Sequence, residues 1–282
     1  MQIITTIMHL REILQQNRNA FETIGLVPTM GALHIGHLTL ARQSLAQCDK
    51  TVVSIFVNPK QFGPEEDFDA YPRDLAKDAA LLEAEGVDYC FAPSVEEMWP
   101  NGNCSHVEVE GLSDMLMGAL RPLHFRGVTT VVAKLFNIIQ PDYAYFGEKD
   151  FQQITIIKRM VQDLAFPVKI IGVPTLRDSD MVASSSRNTL LSPEDRSAAA
   201  IIPQSWQAAD MAFKNGERSA QKLKEITHEI LQREPRGIIE AIDLRDCESL
   251  SDVEGNVTGA AVLLLTVRFG SVRLIDQHIL TL

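Results

Sequence analysis

Cysteine is scarce in this 282-residue sequence. Cys48, Cys90, Cys104 and Cys247 are far apart and form no Cys-x-x-Cys pair. That excludes a zinc-binding spacing, and the thiols read as reduced. Long apolar runs are also missing. The longest, near Ala260 to Val267, is far short of the ~18 residues that span a bilayer. The N-terminal MQIITTIMHLREIL is too polar for a secretory signal. The expectation is a soluble, cytoplasmic protein with no membrane partner. Basic charge is in deficit: 26 Lys and Arg stand against 37 Asp and Glu, a formal net charge of −11. Divided at Thr175, neither part carries a basic excess. This argues against a nucleic-acid surface but leaves room for a local basic pocket that holds a small anion. There is no internal repeat and no low-complexity tract. With 45% hydrophobic and 22% charged residues, the composition is that of a globular protein and excludes a disordered or collagen-like chain.

What is present is strand–helix alternation. Continuous apolar runs at 24–30, 51–59, 87–93, 143–147 and 168–175 read as buried parallel strands, because strands covered on both faces lose the polar alternation. Helices are expected at 36–47, 74–86, 127–139 and 149–165. Asp74 is a candidate N-cap and Gly86 a C-terminal stop. The pattern predicts a Rossmann-like doubly wound parallel α/β sheet over residues 1–175, with ligands at the carboxyl ends of its strands. Residues 176–282 read as a smaller α+β domain. A helix is expected over 193–214, kinked at Pro203, and another over 219–233. Strands follow at 239–244, 260–269 and 271–280.

Three segments carry chemistry. The first is 34-HIGH-37, led in by 27-VPTMGAL-33, directly after the first predicted strand. Two imidazoles three residues apart share one face of a first helical turn, whose free amides favour phosphate. Gly31 and Gly36 let a nucleotide approach the backbone. The second is 147-GEKD-150, where Lys149 is a point charge for phosphate at a helix start; alone, it reads first as a solvated helix-cap Lys-Asp pair. The third is 184-SSSRN-188, whose hydroxyls and Arg187 suit a polyphosphate; alone, it reads first as a polar interdomain loop. No Ser-His-Asp or Cys-His pattern is evident.

The stretches 27-VPTMGALHIGHLTL-40, 55-IFVNPKQFGPEEDFDAYPR-73, 124-HFRGVTTVVAKLFNIIQPDYAYFGEKDFQQ-153, RDSDMVASSSRN and 273-RLIDQ-277 together resemble the pantoate–β-alanine ligase family over essentially the whole chain. The resemblance implies a HIGH-superfamily nucleotide fold in residues 1–175, a lid-like C-terminal domain in 176–282, and a homodimer. It implies that ATP and (R)-pantoate form pantoyl adenylate and pyrophosphate, with magnesium accompanying ATP and metal ligands unassigned. β-Alanine then displaces AMP to give pantothenate, in coenzyme A biosynthesis. By resemblance, Met30, Gly31, Ala32, Leu33, His34, Ile35, Gly36 and His37 form an ATP-binding segment. His37 is the catalytic acid, and His34 and Lys149 are the other catalytic candidates. Gly147, Glu148, Lys149 and Asp150 form an ATP loop, and the Leu176 backbone meets adenine. Ser184, Ser185, Ser186 and Arg187 form a second phosphate loop. Gln61 and Gln153 read pantoate, Gln61 lies near β-alanine, and Asn58 lines the same pocket. Met30, Val57 and Phe62 offer an apolar wall to the gem-dimethyl group.

Two positions depart from the family pattern: Met181 stands where glycine is usual, and Ser184 where an apolar residue is usual. Other readings are a HIGH-superfamily nucleotidyltransferase with a different acceptor, for which Gln61 and Gln153 have no purpose, and a non-catalytic nucleotide-binding module, which would not need His37 or Lys149. His9, His106, His228 and His278 stand alone and read as structural or surface residues. His124 lies near the site by resemblance. Asp78 is a weak candidate for assisting magnesium, and 65-EEDFD-69 reads as a solvated loop.

Overall fold

A computed structural model describes residues 1–63, 66, 68–100 and 104–281; Glu65 and Asp67 of the acidic loop lie outside the described residues. The chain divides into two compact units, Met1–Pro174 and Thr175–Leu282.

The first unit runs β1 (Gln2–Ile4), α1 (Ile7–Asn19), β2 (Ile24–Thr29), α2 (Ile35–Gln47), β3 (Lys50–Ile55), α3 (Leu75–Glu85) and β4 (Tyr89–Phe91). Then come α4 (Val95–Met98), α5 (Met117–Leu120), α6 (His124–Ile139), β5 (Tyr143–Gly147), α7 (Phe151–Asp163) and β6 (Lys169–Val173). Short 3-10 turns precede α3 at Pro59–Gln61 and α7 at Glu148–Asp150. The six strands form one parallel sheet in the order β1-β4-β3-β2-β5-β6. Neighbouring residues of each strand enter opposite cores, since strand side chains alternate in direction. Leu26, Val52, Phe91 and Ala144 pack with Leu10, Phe136 and Ile157. Val27, Val53, Cys90 and Tyr145 pack with Leu38, Ala41 and Leu82. Both faces are covered, which is why the strands read as continuous apolar runs.

The sheet reverses direction between β2 and β5. There the two strands pair only at Gly25↔Tyr143 and Leu26↔Ala144 and then part. By contrast, β2 stays paired with β3 to Thr29↔Ile55, and β5 with β6 to Gly147↔Val173. The parting opens a crevice between Thr29 and Gly147, at the topological switch point where such sheets bind ligands.

The elements expected from sequence are present. The Asp74 side chain caps α3, accepting from the Lys77 N–H at 3.0 Å, and Gly86 closes it in the left-handed conformation. β1 and α1 were not foreseen. Their cue is slight: a three-residue strand, and a helix burying only Leu10, Leu14 and Asn17.

The second unit contains α8 (Pro193–Ala198), α9 (Ile201–Lys214), α10 (Ala220–Leu231) and an antiparallel sheet of β7 (Gly237–Asp246), β8 (Ala261–Phe269) and β9 (Val272–Leu280). The expected helix over 193–214 is two helices. The break lies at Ala199 and Ala200, not at Pro203, which sits in the first turn of α9. There its missing N–H leaves no helical bond unmade, while its ring discourages a helix from continuing past the carbonyl four residues earlier. Among the described residues, no helix is long and apolar enough to cross a membrane.

The segment leading into α8 is anchored at its base. Arg177 forms a bidentate pair with the buried Asp276 (2.9 Å and 2.9 Å), which also accepts from the Trp206 indole N–H at 3.1 Å. Arg196 pairs with both Asp178 and Asp180. Between these anchors Met181 is held at φ +68°. Its N–H donates to the Asp178 carbonyl at 2.8 Å, and its carbonyl accepts from Arg177 at 3.0 Å. The chain thus keeps a glycine-like backbone without the glycine. A side chain in that region is strained by about 1–2 kcal/mol, partly offset because glycine loses more entropy on folding. Met181→Gly is therefore expected to raise stability by about 0.5–1 kcal/mol, measured by urea denaturation. A destabilisation would show that the Met181 side chain carries packing that outweighs the strain.

Candidate active site

The turn after β2 is held by one carboxylate. Asp78, 2% exposed on α3, accepts from the Ala32 N–H at 2.9 Å and the Leu33 N–H at 2.8 Å. Those bonds fix Gly31 (φ +82°) and Ala32 (φ +50°) in the left-handed region. A Cβ on Gly31 would stand 2.9 Å from Asp78 Oδ2, so residue 31 must be glycine for two reasons. Through both oxygens Asp78 holds this turn in place.

The turn delivers His34 as the N-cap of α2. Its Nδ1 accepts from the Gly36 N–H at 3.1 Å, and His37 Nδ1 accepts from the His34 N–H at 3.3 Å. The rings stand 4.2 Å apart. An accepting Nδ1 carries no proton, so each neutral ring holds its proton on Nε2. Both Nε2–H groups are left to donate. Burial pushes the His37 pKa down to about 4, reinforced by His34 and Lys149 and opposed by Asp150. His34 is lowered too, first by burial and then by Lys149, against Asp150. The charges of Lys149 and Asp150, at the end of β5, are felt by both rings, so the crevice unites the HIGH and GEKD segments.

Within the GEKD turn, Glu148 lies over Gly172 of β6, where an added Cβ would meet its Oε1 at 2.6 Å. Lys149 makes no ion pair among the described residues. It belongs to the 3-10 turn rather than to α7, so it and Gln153 do not share one regular helix as their spacing implied. Gln153 is half-buried and makes no hydrogen bond among the described residues. Its neighbour Gln152 is spent: it accepts from the Met117 N–H at 3.1 Å and donates to the Leu112 and Met115 carbonyls at 2.9 and 2.8 Å. Of the two adjacent amides, Gln153 is the one left for a ligand.

Gln61 stands on a built platform. Asn58, 1% exposed, donates to Gln61 Oε1 at 3.2 Å and to the Gly127 carbonyl at 3.1 Å. It accepts from the Trp99 indole at 3.2 Å and from the Lys60 N–H at 3.3 Å. Asn58 therefore lies one step behind the pocket wall and positions Gln61. Gln61 Nε2 reaches Met30 Sδ at 2.9 Å, which joins the platform to the β2 turn. Gly127 is required where α6 crosses beneath, since a Cβ there would stand 2.2 Å from the Lys60 carbonyl. The Gln61 carbonyl is held in turn by His124 Nδ1 at 2.8 Å, and Arg121 bridges His124 to Glu66. Asp78, Gly127, Trp99 and Arg121 were not assigned these roles from sequence. Their signals, a carboxylate on an apolar helix face and a glycine inside a helix, exist but do not name the partner.

The remaining candidates belong to the second unit, not to the sheet with the other two segments. Leu176 accepts from the Ser184 N–H at 2.8 Å. Ser185 Oγ accepts from the Arg187 N–H at 3.3 Å and starts the 3-10 turn Ser186–Leu190. Arg187 is exposed and makes no ion pair among the described residues. Also among the described residues, no group of three or more His, Cys, Asp or Glu side chains is placed to hold a metal.

A family model for pantoate-β-alanine ligase matches residues 2–279. The chain is 63% identical to the pantothenate synthetase of Bartonella henselae over 280 residues, 99% of each chain. It is 49% identical to that of Acetivibrio thermocellus over 279 residues, again 99% of each. The crystal structure of pantothenate synthetase from Thermus thermophilus superimposes with a TM-score of 0.91 at 44% identity, covering 99% of each chain. A pantoate-β-alanine ligase from Francisella tularensis, complexed with β,γ-ATP and β-alanine, gives a TM-score of 0.78 at 33% identity, covering 99% of this chain and 97% of that one.

Two outcomes follow from this geometry. Asp78→Ala removes the acceptor of two amides and is expected to lower stability by about 2–6 kcal/mol, at about 1–3 kcal/mol for each group left unsatisfied. A loss below about 0.5 kcal/mol in urea denaturation, the ordinary scatter of a neutral substitution, would show that the turn holds itself. In the ligand-free protein, NMR titration is expected to show His37 neutral down to about pH 4. Since the unfolded chain binds its proton near pH 6.5 and the folded chain does not, this residue's contribution to stability is full above pH 6.5 and falls as the pH drops toward 4. A His37 midpoint at or above 6.5, its ordinary value, would contradict the buried, uncharged ring.

Proposed function

Because the chain belongs to the pantoate–β-alanine ligase family, we propose that its crevice condenses (R)-pantoate with β-alanine at the expense of ATP, through pantoyl adenylate. The observation that carries this reading is the pair of Nε2–H imidazoles with Lys149 at the point where β2 and β5 part. A triphosphate laid there meets two neutral donors and one ammonium, all preorganised. The pantoate carboxylate attacks the α-phosphorus, and pyrophosphate leaves. Charge grows on the phosphoryl oxygens in the transition state, and fixed donors aimed at that charge lower the barrier. The phosphates would also draw the His37 pKa upward, which suits it to donate a proton as the step proceeds. The substrate carboxylate is the nucleophile, so no protein nucleophile is required, and the enzyme's contribution is positioning and charge stabilisation.

Gln61 and Gln153 are proposed to read the pantoate hydroxyls, since an amide both donates and accepts. Asn58 holds Gln61 in place, and Met30 with Val57 and Phe62 offers the apolar wall. Gly147–Asp150 and Met30–His37 are the proposed ATP segments, and Leu176 with Ser184–Arg187 the proposed adenine and phosphate residues of the second unit, which would act as a lid. Magnesium, when bound, would neutralise phosphate charge. It would rest mainly on the phosphates and water, as is usual for this ion, with Asp150 the nearby carboxylate. A homodimer and a cytoplasmic location complete the proposal, the former testable by sedimentation.

The reaction itself is the test. AMP is expected only when ATP, Mg²⁺, pantoate and β-alanine are all present, whereas pyrophosphate needs only ATP, Mg²⁺ and pantoate and stops at one turnover without β-alanine. Release of ADP and inorganic phosphate would mean an acyl phosphate and overturn the adenylate route. In single-turnover measurements, His37→Ala and Lys149→Ala are each expected to slow adenylate formation roughly 10²–10³-fold, the scale of one lost electrostatic donor. Attack of β-alanine on preformed adenylate should suffer less, because pyrophosphate has already gone. An undiminished adenylation rate in either variant would remove that residue from the mechanism.

A further inference from the structure

A buried aromatic ring stands behind the Gln61 platform. Trp99 follows α4 and is 7% exposed. The Lys134 ammonium lies 4.8 Å from the centre of its ring and the Lys60 ammonium 5.3 Å. Phe56 packs against it with the ring centres 6.4 Å apart. Lys134 is itself tied to the Met98 carbonyl. Cations over the ring and an aromatic neighbour hold the indole in one orientation. Its N–H is aimed at Asn58 Oδ1, at 3.2 Å.

A primary amide can exchange its oxygen and nitrogen by a half-turn, so its orientation is set by its partners. At Asn58 the partners admit one orientation. The Trp99 indole N–H and the Lys60 backbone N–H can only donate, and both meet Oδ1. The Gly127 carbonyl can only accept, and it meets Nδ2 at 3.1 Å. A half-turn of Asn58 would set two donors against an NH₂ group and a carbonyl against an oxygen. The other Nδ2 proton goes to Gln61 Oε1 at 3.2 Å. The polarity is thereby handed on: Gln61 turns its oxygen to the protein and its Nε2 protons away from Asn58.

What Gln61 Nε2 meets is Met30 Sδ, at 2.9 Å. A thioether is a weak acceptor. An oxygen atom of a ligand would replace it with a net gain. A group that brings only donors would leave N–H facing N–H, with a buried donor unsatisfied.

We propose that Trp99 is a positioning residue for pantoate: its N–H, acting through Asn58, sets Gln61 to offer a donor, so that pantoate is read there at an oxygen lone pair. The inference rests on the ligase reading above and narrows it. Gln61 then has one half of its amide to give to substrate, because the other half is committed to Asn58. Trp99 touches neither substrate in this arrangement. Its effect is carried by three consecutive hydrogen-bonding groups, the indole, the Asn58 amide and the Gln61 amide.

The test uses the full chain with Trp99 replaced in two ways. Trp99→Phe removes the N–H and part of the ring. Site-specific replacement by benzothienylalanine keeps the bicyclic shape and puts sulfur where the N–H was. Both are expected to raise KM for pantoate by roughly 2–10-fold, the range for one lost neutral hydrogen bond, while KM for ATP moves far less. In NMR spectra of the ligand-free protein, the Gln61 Nε2 protons should show an Overhauser effect to the Met30 methyl group, and both replacements should weaken it. An unchanged KM for pantoate in the benzothienylalanine protein would overturn the inference, by assigning Trp99 to packing alone. A comparable rise in KM for ATP and pantoate would also overturn it, by assigning Trp99 to the fold. Absence of the Met30 effect in the unsubstituted protein would overturn the orientation of Gln61. Absence of pantoate-dependent exchange of pyrophosphate into ATP in the unsubstituted protein would instead overturn the ligase reading.

Discussion

The site depends on a buried carboxylate. Asp78 takes two backbone amides of the turn after β2 and thereby fixes consecutive residues, Gly31 and Ala32, in a backbone region that side chains disfavour. Without those bonds the turn would lose its hold on that conformation, and His34 would not arrive at the N-cap of α2. From that position follow the two ring acceptors, the proton on each Nε2, and the close approach of the imidazoles. A negative charge 2% exposed is tolerable only when its oxygens are satisfied. What the structure shows of Asp78 is this hold on the turn, so its importance is transmitted through geometry.

A second constraint is topological. The sheet changes its direction of winding between β2 and β5, and the two strands stop pairing after Leu26 and Ala144. The last residues of each strand therefore carry their loops to opposite sides of an opening. In two places, nearby amides divide the labour. Gln152 secures α7 to the segment before α5, while Gln153 is left unengaged among the described residues. Asn58 secures the 3-10 turn, while Gln61 is presented. Such pairs show why residue type alone does not identify a ligand: an amide bonded to protein and an amide without a bond among the described residues are chemically the same.

Much of this was legible in the sequence. The runs 24–30 and 143–147 became β2 and β5, because strands buried on both faces must be apolar throughout. Asp74 and Gly86 marked the limits of α3, because caps obey local backbone rules. His34, His37 and Lys149 were singled out as candidates from motifs that follow strands, and they lie after β2 and β5. The supporting roles were not legible. Asp78 lies 45 residues from the Leu33 amide it holds, and Gly127 lies 69 residues from Asn58. Partners so distant are chosen by packing, which periodicity does not encode. The break falls at Ala199 and Ala200 rather than at Pro203 because a proline is as acceptable in the first turn of a helix as it is disruptive further in.

The charge state of the crevice follows from the same burial. Two imidazolium rings 4.2 Å apart, beside the Lys149 ammonium, would place three like charges in a partly desolvated crevice. Like charges in a medium of reduced dielectric repel by several kcal/mol, so the fold would oppose its own active site. Lowering the pKa of both rings resolves the conflict, leaving Lys149 as the cation and the imidazoles as neutral donors. On the proposed function, a bound triphosphate would bring negative charge to the same place and draw the rings toward the protonated state, so ATP would assemble the cationic form of the site rather than the fold maintaining it against repulsion.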